Sequence, residues 1–190
     1  DRMLAPLSAV VIDRAAPVAG EQVLDIGCGC GDTSMALARR VAPGGAVTGV
    51  DISTPMLNVA RQRAADDDLP VTLFNADAET HGLTLESFDL AFSRFGVMFF
   101  NNPQAAFTNI GGALKSGGRL TFVCWRALSH NPWALIPFEA VSSVVPAPEP
   151  PAPHAPGPFA FADDERVKGI LTAAGFTDVA VDGYESIMKN

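Results

Sequence analysis

The stretch Val23-Leu24-Asp25-Ile26-Gly27-Cys28-Gly29-Cys30-Gly31 decides how this 190-residue chain folds. Its apolar first part, residues 23–27, predicts a short buried β-strand, and its second part carries a glycine at every other position. Glycines let the chain turn sharply there and let a ligand approach the backbone closely. A helical composition resumes at Asp32, so the free N–H groups and the positive dipole end of a helix meet this loop. The stretch therefore predicts a strand–loop–helix unit that suits a carboxylate or phosphate ligand.

Strands and helices continue to alternate around this unit. Apolar runs separated by helical stretches are typical of βαβ units, with a parallel sheet and right-handed crossovers. The predicted fold class is therefore α/β, with a doubly wound, mostly parallel sheet. The further strands are predicted at residues 46–51, 71–77, 88–93 and 119–125, and the helices at 4–16, 32–41, 53–65 and 103–114.

The composition changes after Trp125. A helix is predicted at 131–145, and residues 146–158 then hold seven of the fifteen prolines, which excludes a helix or a central strand. We interpret this segment as a lid-like, Pro-rich insertion at about 146–158 within a single domain that spans 1–190. A helix at 163–174 and a sixth strand at 177–184 follow. The short polar end offers no seventh strand and the first residue is not Met, which suggests a truncated domain.

Composition and charge argue against several classes of protein. The net charge is −8 and the basic residues are scattered, so a nucleic-acid ligand is not expected. No apolar run is long enough to span a bilayer, so membrane insertion is not expected either. Cys28, Cys30 and Cys124 suggest no disulfide framework and favour a reduced, cytoplasmic location. No metal site is predicted, and thiolate binding of a soft metal or arsenite is the weaker alternative.

Acidic residues stand at the ends of three predicted strands. Asp25 lies at the floor of the glycine loop, where a buried carboxylate favours a cationic ligand; alternatively, it only accepts hydrogen bonds from loop N–H groups. Asp51 can accept hydrogen bonds from both hydroxyls of a ribose. The alternative is a helix cap, a role for which Ser53 is better placed. Asp77 can accept from an adenine amino group while the Ala78 N–H donates to the ring, or it is simply exposed at a strand end.

The residue that follows the glycine loop separates two classes of nucleotide site. A dinucleotide fingerprint requires glycine at position 32, and Asp32 is a poor neighbour for a pyrophosphate. This argues against a nicotinamide or flavin enzyme. Ile52 and Met56, close to Asp51 in the sequence, would supply apolar contacts to an adenine ring.

These motifs, in this order, resemble those of class I S-adenosylmethionine-dependent methyltransferases, and most closely the small-molecule group that includes the quinone C-methyltransferases. The resemblance rests on Asp25 to Gly31, Asp51, Asp77 and Phe88-Asp89-Leu90-Ala91-Phe92-Ser93. It covers residues 20–125 with motifs and extends more weakly to Tyr184. It implies S-adenosylmethionine as the cofactor and a sheet of strand order 3-2-1-4-5-7-6, with the last strand antiparallel.

The resemblance also assigns residues to parts of the cofactor. Gly27 and Gly29 would line the methionine part, and the Ser93 carbonyl would face its ammonium group. Asp51 would hold the ribose, and Asp77 with its neighbour the adenine. The predicted cofactor-binding residues are Asp25, Gly27, Cys28, Gly29, Asp51, Ile52, Met56, Asp77, Ala78 and Ser93.

The acceptor side is predicted beyond the carboxyl ends of the fourth and fifth strands. Arg94 and His130 are candidates there, with a structural ion pair and an exposed loop histidine as the alternatives; no catalytic residue is assigned. The large apolar residues of the run 96–100 predict the wall of an apolar pocket, with core packing as the alternative, and Trp125 and Trp133 flank the end of the fifth strand. The expected function is methyl transfer to a small, fairly apolar metabolite such as a quinol, phenol or polyketide-like compound. A cofactor-binding module or sensor without catalysis is the alternative, and a nicotinamide oxidoreductase is a third.

Overall fold

A computed structural model of the protein describes residues 4–146 and 152–186. The chain forms a doubly wound α/β domain, as predicted. Its helices are α1 (Ala5–Ala15), α2 (Asp32–Val41), α3 (Thr54–Asp66), α4 (Pro103–Ala113), α5 (Pro132–Ser142) and α6 (Asp164–Ala173). Its strands are β1 (Gln22–Ile26), β2 (Ala46–Asp51), β3 (Val71–Asn75), β4 (Phe88–Arg94) and β5 (Leu114–Val123).

The five strands form one parallel sheet in the order β3-β2-β1-β4-β5. This order confirms the prediction for the first five strands. β1 lies at the centre, with Asp25 paired to Gly49 on one side and to Phe92 on the other. The carboxyl ends of β1, β2 and β4 therefore meet at the glycine loop, which is where an open α/β sheet changes winding direction and binds its ligands.

Helices cover both faces of the sheet. Side chains of α1 and α2, such as Ile12 and Leu37, pack with Val47 and Phe92 on one face. On the other face Phe107 of α4 packs with α6 and with strand residues from β1, β4 and β5. The central strands β1 and β4 therefore bury apolar side chains in both directions, which explains their continuous apolar runs in the sequence.

Two strand predictions need correction. Residues 177–184 do not form a strand, although Val179 and Val181 pack against the core. Together with β5 they line an open groove of about 910 Å³, and among the described residues they take no part in the sheet. No seventh strand is present in residues 4–146 or 152–186. β5 begins at Leu114 rather than at 119, because an irregular register between Phe88 and Leu90 absorbs the glycine-rich residues 115–118.

The Pro-rich segment is described in part. Residues 147–151 lie outside the described residues, as do 1–3 and 187–190. After the gap, the Gly157 N–H donates to the Met98 carbonyl at 3.0 Å, and Phe161 is buried in the core. This attachment brings the end of the segment to the loop after β4, while its lid-like role stays a prediction. No helix within 4–146 or 152–186 combines the length and hydropathy that crossing a bilayer requires.

Candidate functional site

The glycine loop turns tightly at the end of β1 because its glycines adopt conformations that other residues avoid. Gly27, Gly29 and Gly31 all have positive φ, at 67°, 56° and 83°. A Cβ on Gly27 would lie 2.7 Å from the Gly96 Cα, so the loop also packs directly on the turn after β4. The loop N–H groups are used within the chain: those of Gly27 and Cys28 donate to the Val50 carbonyl, and that of Gly31 donates to the Cys28 carbonyl.

Asp25 is a fully buried carboxyl below this loop. Its Oδ2 accepts hydrogen bonds from Thr33 Oγ1 at 2.7 Å and Ser34 Oγ at 2.6 Å, both in the first turn of α2. Its Oδ1 has no hydrogen-bond partner within the described part of the chain. Burial raises the pKa of Asp25 to about 6, against the lowering effects of the two hydroxyls and of the Arg94 charge. An orphaned, buried oxygen at this position fits a cationic ligand.

Asp51 closes the opposite side of the loop. Its Oδ2 accepts a hydrogen bond from the Gly29 N–H at 2.8 Å, and its Oδ1 accepts one from the Ser53 N–H at 2.8 Å. The Ser53 side chain makes no capping hydrogen bond, contrary to the expectation that it caps α3. Each carboxylate oxygen has a second lone pair, so this arrangement still leaves Asp51 able to accept from ribose hydroxyls.

Apolar side chains beside Asp51 are unusually open to solvent. Ile52 is 75% exposed and Met56 is 42% exposed. A Cβ on Gly29 would lie 2.9 Å from the Met56 Cε, which places that side chain against the loop. These two residues therefore form an apolar surface next to the candidate ribose position, as expected for a contact with adenine.

Asp77 and Ala78 follow β3 in a turn rather than at the strand end, since β3 stops at Asn75. Asp77 is exposed, and its Oδ1 accepts from the Glu79 N–H at 2.9 Å. Ala78 is buried, and its carbonyl accepts from Asn109 Nδ2 at 2.9 Å. The Asn75 side chain donates to the Asp51 carbonyl at 3.1 Å, which ties this edge of the site to β2.

Ser93 and Cys28 complete the cofactor side. Ser93 is buried; its Oγ donates to the Ile26 carbonyl at 2.8 Å and accepts from the Gly96 N–H at 3.2 Å. This side chain joins the ends of β1 and β4 beneath the loop. Cys28 is buried against α3, and burial, with the charges of Asp25 and Asp51, raises the pKa of its thiol. A neutral Cys28 thiol contributes packing to the site rather than a thiolate.

The two charged or titratable acceptor-side candidates differ in their surroundings. The Arg94 side chain is 15% exposed, donates to Ser8 Oγ at 2.6 Å and lies 4.0 Å from an Asp32 oxygen. Burial lowers the pKa of Arg94, and the nearby Asp32 and Asp25 charges oppose that effect. His130 is exposed in a short turn after β5, as its alternative interpretation proposed.

The apolar wall predicted at residues 96–100 is only partly correct. Val97, Met98 and Phe100 are buried, and Val97 and Phe100 belong to the core cluster that contains Phe107 of α4. Phe95 is half-buried and stacks on Trp125, with ring centroids 4.2 Å apart and an interplanar angle of 11°. Trp125 in turn contacts Trp133 at 4.9 Å and 50°. We name Phe95, Trp125 and Trp133 the aromatic ladder.

Comparison with known proteins decides the family. The model of a methyltransferase domain family matches residues 23–118, which span the glycine loop and the strand-end acids. The chain belongs to this methyltransferase domain family. A likeness to quinone C-methyltransferases, expected from the motifs, is confirmed by 38% identity over 112 residues to the ubiquinone/menaquinone biosynthesis C-methyltransferase UbiE of Bordetella parapertussis; the match covers 59% of this chain and 43% of that protein.

A second curated relative and a solved structure are also similar to this methyltransferase domain. The aklanonic acid methyltransferase DauC of a Streptomyces species is 37% identical over 118 residues, which cover 62% of this chain and 54% of the relative. The chain thus spans about half the length of the curated relatives it matches. In fold it is similar to Haemonchus contortus phosphoethanolamine N-methyltransferase 2 in complex with S-adenosyl-L-methionine, with a TM-score of 0.69 and 27% identity over 92% of this chain and 37% of that one.

Sequence reasoning missed part of the methyltransferase site. Thr33 and Ser34, which hold Asp25, were not singled out, although two hydroxyl residues directly after the loop were a usable signal. The contact between Gly27 and Gly96 was also missed. Because that contact joins residues 69 positions apart, no local sequence pattern predicts it.

Proposed function

We propose that this domain binds S-adenosylmethionine at the glycine loop and transfers its methyl group to a small, fairly apolar metabolite, such as a quinol, phenol or polyketide-like compound. The observation that carries the proposal is the buried Asp25 below a loop of positive-φ glycines, and its Oδ1 has no partner among residues 4–146 and 152–186. A carboxylate there complements positive charge, which the cofactor carries on its sulfonium and ammonium groups.

The chain's own residues would act mainly by binding and alignment. Asp25 would attract the ammonium group, and Asp51, held by the Gly29 and Ser53 amides, would accept from the ribose. Ile52 and Met56 would cover one side of the adenine, and Asp77 with Ala78 would lie at its edge. S-adenosylmethionine supplies an electrophilic methyl group for in-line displacement, so the protein must chiefly position the acceptor and exclude water.

The choice of acceptor is supported by relatives and by the acceptor side itself. The names of DauC and UbiE describe methylation of aklanonic acid and of quinone precursors, both small molecules. In the present chain, exposed aromatic and aliphatic side chains follow β4 and β5, including Phe99 and Trp133. A cytoplasmic location stays a prediction from the cysteine content.

Calorimetry with S-adenosylmethionine and S-adenosylhomocysteine tests the cofactor half of the proposal. We expect both to bind, and Asp51→Asn to weaken binding about tenfold, because hydrogen bonds to a charged group contribute about 1.5–3 kcal/mol. Asp68→Asn is the matched control, since Asp68 is exposed in the turn after α3. Absence of binding by the unaltered chain, or equal effects of the two variants, would overturn this half.

A screen with a labelled methyl donor tests catalysis. Transfer to any quinol, phenol or polyketide-like acceptor supports the proposal, with the Asp51→Asn variant as the negative control. The competing function is a cofactor-binding module or sensor. It is favoured by the surroundings of the two candidate side chains, since His130 is exposed in a turn and Arg94 is engaged by Ser8. Tight cofactor binding without transfer to any acceptor would select that alternative.

A further inference from the structure

The aromatic ladder starts beside the cofactor loop. Phe95 adopts a left-handed conformation, with φ at 62°, while its N–H donates to the Val123 carbonyl at 3.0 Å. The next residue, Gly96, packs against Gly27 of the loop. A bulky residue held at positive φ is a strained arrangement of the kind that clusters at functional sites. Its effect here is to turn the Phe95 ring onto Trp125 instead of continuing β4.

The far end of the ladder is held in a set orientation. The Trp133 indole N–H donates to Asn131 Oδ1 at 3.3 Å. Asn131 is only 7% exposed, and its amide donates to the carbonyls of Arg126 at 2.9 Å and Ala127 at 3.0 Å. Trp133 itself is 42% exposed. A buried amide therefore anchors a large ring whose surface remains available to a ligand.

We propose that the aromatic ladder selects a planar, aromatic acceptor of two or more fused rings, which stacks on the exposed ring of Trp133. The inference rests on the proposed methyl transfer and deepens it by naming the acceptor class. Flat rings are the matching partners, because aromatic pairs gain from offset or tilted stacking beyond the area that they bury. The ladder connects this platform to the loop through the Phe95–Gly96 turn.

Other apolar surface nearby does not serve equally well. Val97, Met98 and Phe100 are buried and cannot touch a ligand without unfolding the turn. The exposed aliphatic residues of α5, such as Ile136 and Val141, have no flat face and offer area without a preference for planarity. Trp133 differs because it is both exposed and backed by a second ring. The ladder therefore predicts discrimination by shape and aromaticity rather than by hydropathy alone.

The test compares 2-naphthol with its saturated analogue decahydro-2-naphthol, by calorimetry in saturating S-adenosylhomocysteine. The two probes share the hydroxyl and the carbon skeleton and differ in planarity. We expect the unaltered chain to prefer 2-naphthol. Trp133→Leu should weaken 2-naphthol binding about fivefold and leave the saturated probe unchanged, and Trp133→Phe should retain most of the affinity. Phe138→Leu, on the same helix but outside the ladder, is the matched control.

Several outcomes would overturn the inference. These are equal binding of both probes by the unaltered chain, an equal loss for both probes in Trp133→Leu, and a loss in Phe138→Leu as large as in Trp133→Leu. Unchanged S-adenosylhomocysteine affinity shows that each variant is folded. If the unaltered chain does not bind S-adenosylhomocysteine, the proposed function fails. The two probes can then be compared in the absence of S-adenosylhomocysteine, and this comparison still tests the aromatic ladder.

Discussion

At the scale of single residues, Asp25 lowers the stability of the unliganded protein and favours ligand binding. The folded chain removes this carboxyl from water, and the residues that the structure describes satisfy only one of its two oxygens. A charged form that is buried and half-satisfied destabilises the unliganded protein. A cation delivered by the ligand would recover that free energy, so the same residue is costly when the site is empty and useful when it is filled.

The pH dependence of stability follows from the pKa of Asp25. Folding raises this pKa from 3.8 to about 6, so in that interval the native state keeps a proton that the unfolded chain has lost. The contribution of Asp25 to stability is therefore greatest below about pH 4, falls as the pH rises to about 6, and stays low above it. We expect Asp25→Asn to raise the free energy of unfolding at pH 7 by up to ~3 kcal/mol. Urea denaturation of both chains at pH 4 and pH 7 measures this.

The same substitution should weaken binding of S-adenosylhomocysteine. In the unaltered chain the affinity should rise between pH 5 and pH 7 as Asp25 ionises, and in Asp25→Asn it should stay flat over this range. A variant that is no more stable at pH 7, or that binds with an unchanged pH profile, would show that Asp25 is satisfied in some other way.

At the scale of elements, the helices differ in how firmly they are held. α4 places Ala106, Phe107 and Ile110 in the core with no exposed surface. None of the residues of α5 is buried, and this helix contains an internal proline, Pro137, which removes a backbone hydrogen bond. Helices gain most of their stability from tertiary packing of an apolar face, so α5 should open far more readily than α4.

Hydrogen exchange followed by mass spectrometry tests this difference. We expect α5 amides to exchange at least about tenfold faster than α4 amides, because local opening requires little loss of buried surface. A planar ligand on Trp133 should slow the exchange of α5 and leave α4 unchanged. Equal protection of both helices in the free protein would mean that the apolar surface of α5 is covered in solution.

At the scale of the whole molecule, Arg119 joins distant parts of the chain. This β5 side chain donates to the carbonyls of Ala15 and Ala16 at the end of α1, and to both carboxylate oxygens of Glu21 before β1. The hydrogen bond with Arg119 is the main cause of a lowered Glu21 pKa. The pair thus closes the edge of the sheet on which α1 is docked.

Arg119→Met should lower the free energy of unfolding by about 1–3 kcal/mol at pH 7, as expected for hydrogen bonds to a charged partner. Because folding lowers the pKa of Glu21, this contribution is present at neutral pH and is lost as the pH falls below the ordinary value of 4.5. The difference between the two chains should therefore narrow in acid. Thermal denaturation at neutral and at acid pH measures this difference in stability, and Arg126→Met, at an exposed position, is the control. A difference that does not change with pH would contradict the ion-pair account.

The local patterns of the sequence determined the positions of the first five strands, of most helices and of the strand-end acids, whereas the strand order came from the resemblance to a known family. They could do so because apolar periodicity, glycines at positive φ and residues at strand ends act over a few positions along the chain. The predicted strand at 177–184 was wrong for the same reason: its alternating pattern is strand-like, but a strand also needs backbone pairing with a neighbour, and this segment is not part of the described five-stranded sheet.

Only the tertiary structure decided what the predicted residues do. It showed that Asp25 is held by Thr33 and Ser34, and that its second oxygen has no partner in the described part of the chain. It also divided the apolar run at 95–100 into core residues and one ring of the aromatic ladder. Burial, hydrogen-bond satisfaction and ring stacking depend on neighbours that are distant in the chain. The sequence by itself therefore determined the glycine loop and its donor class, whereas the surface offered to an acceptor emerged only when the strands were brought together.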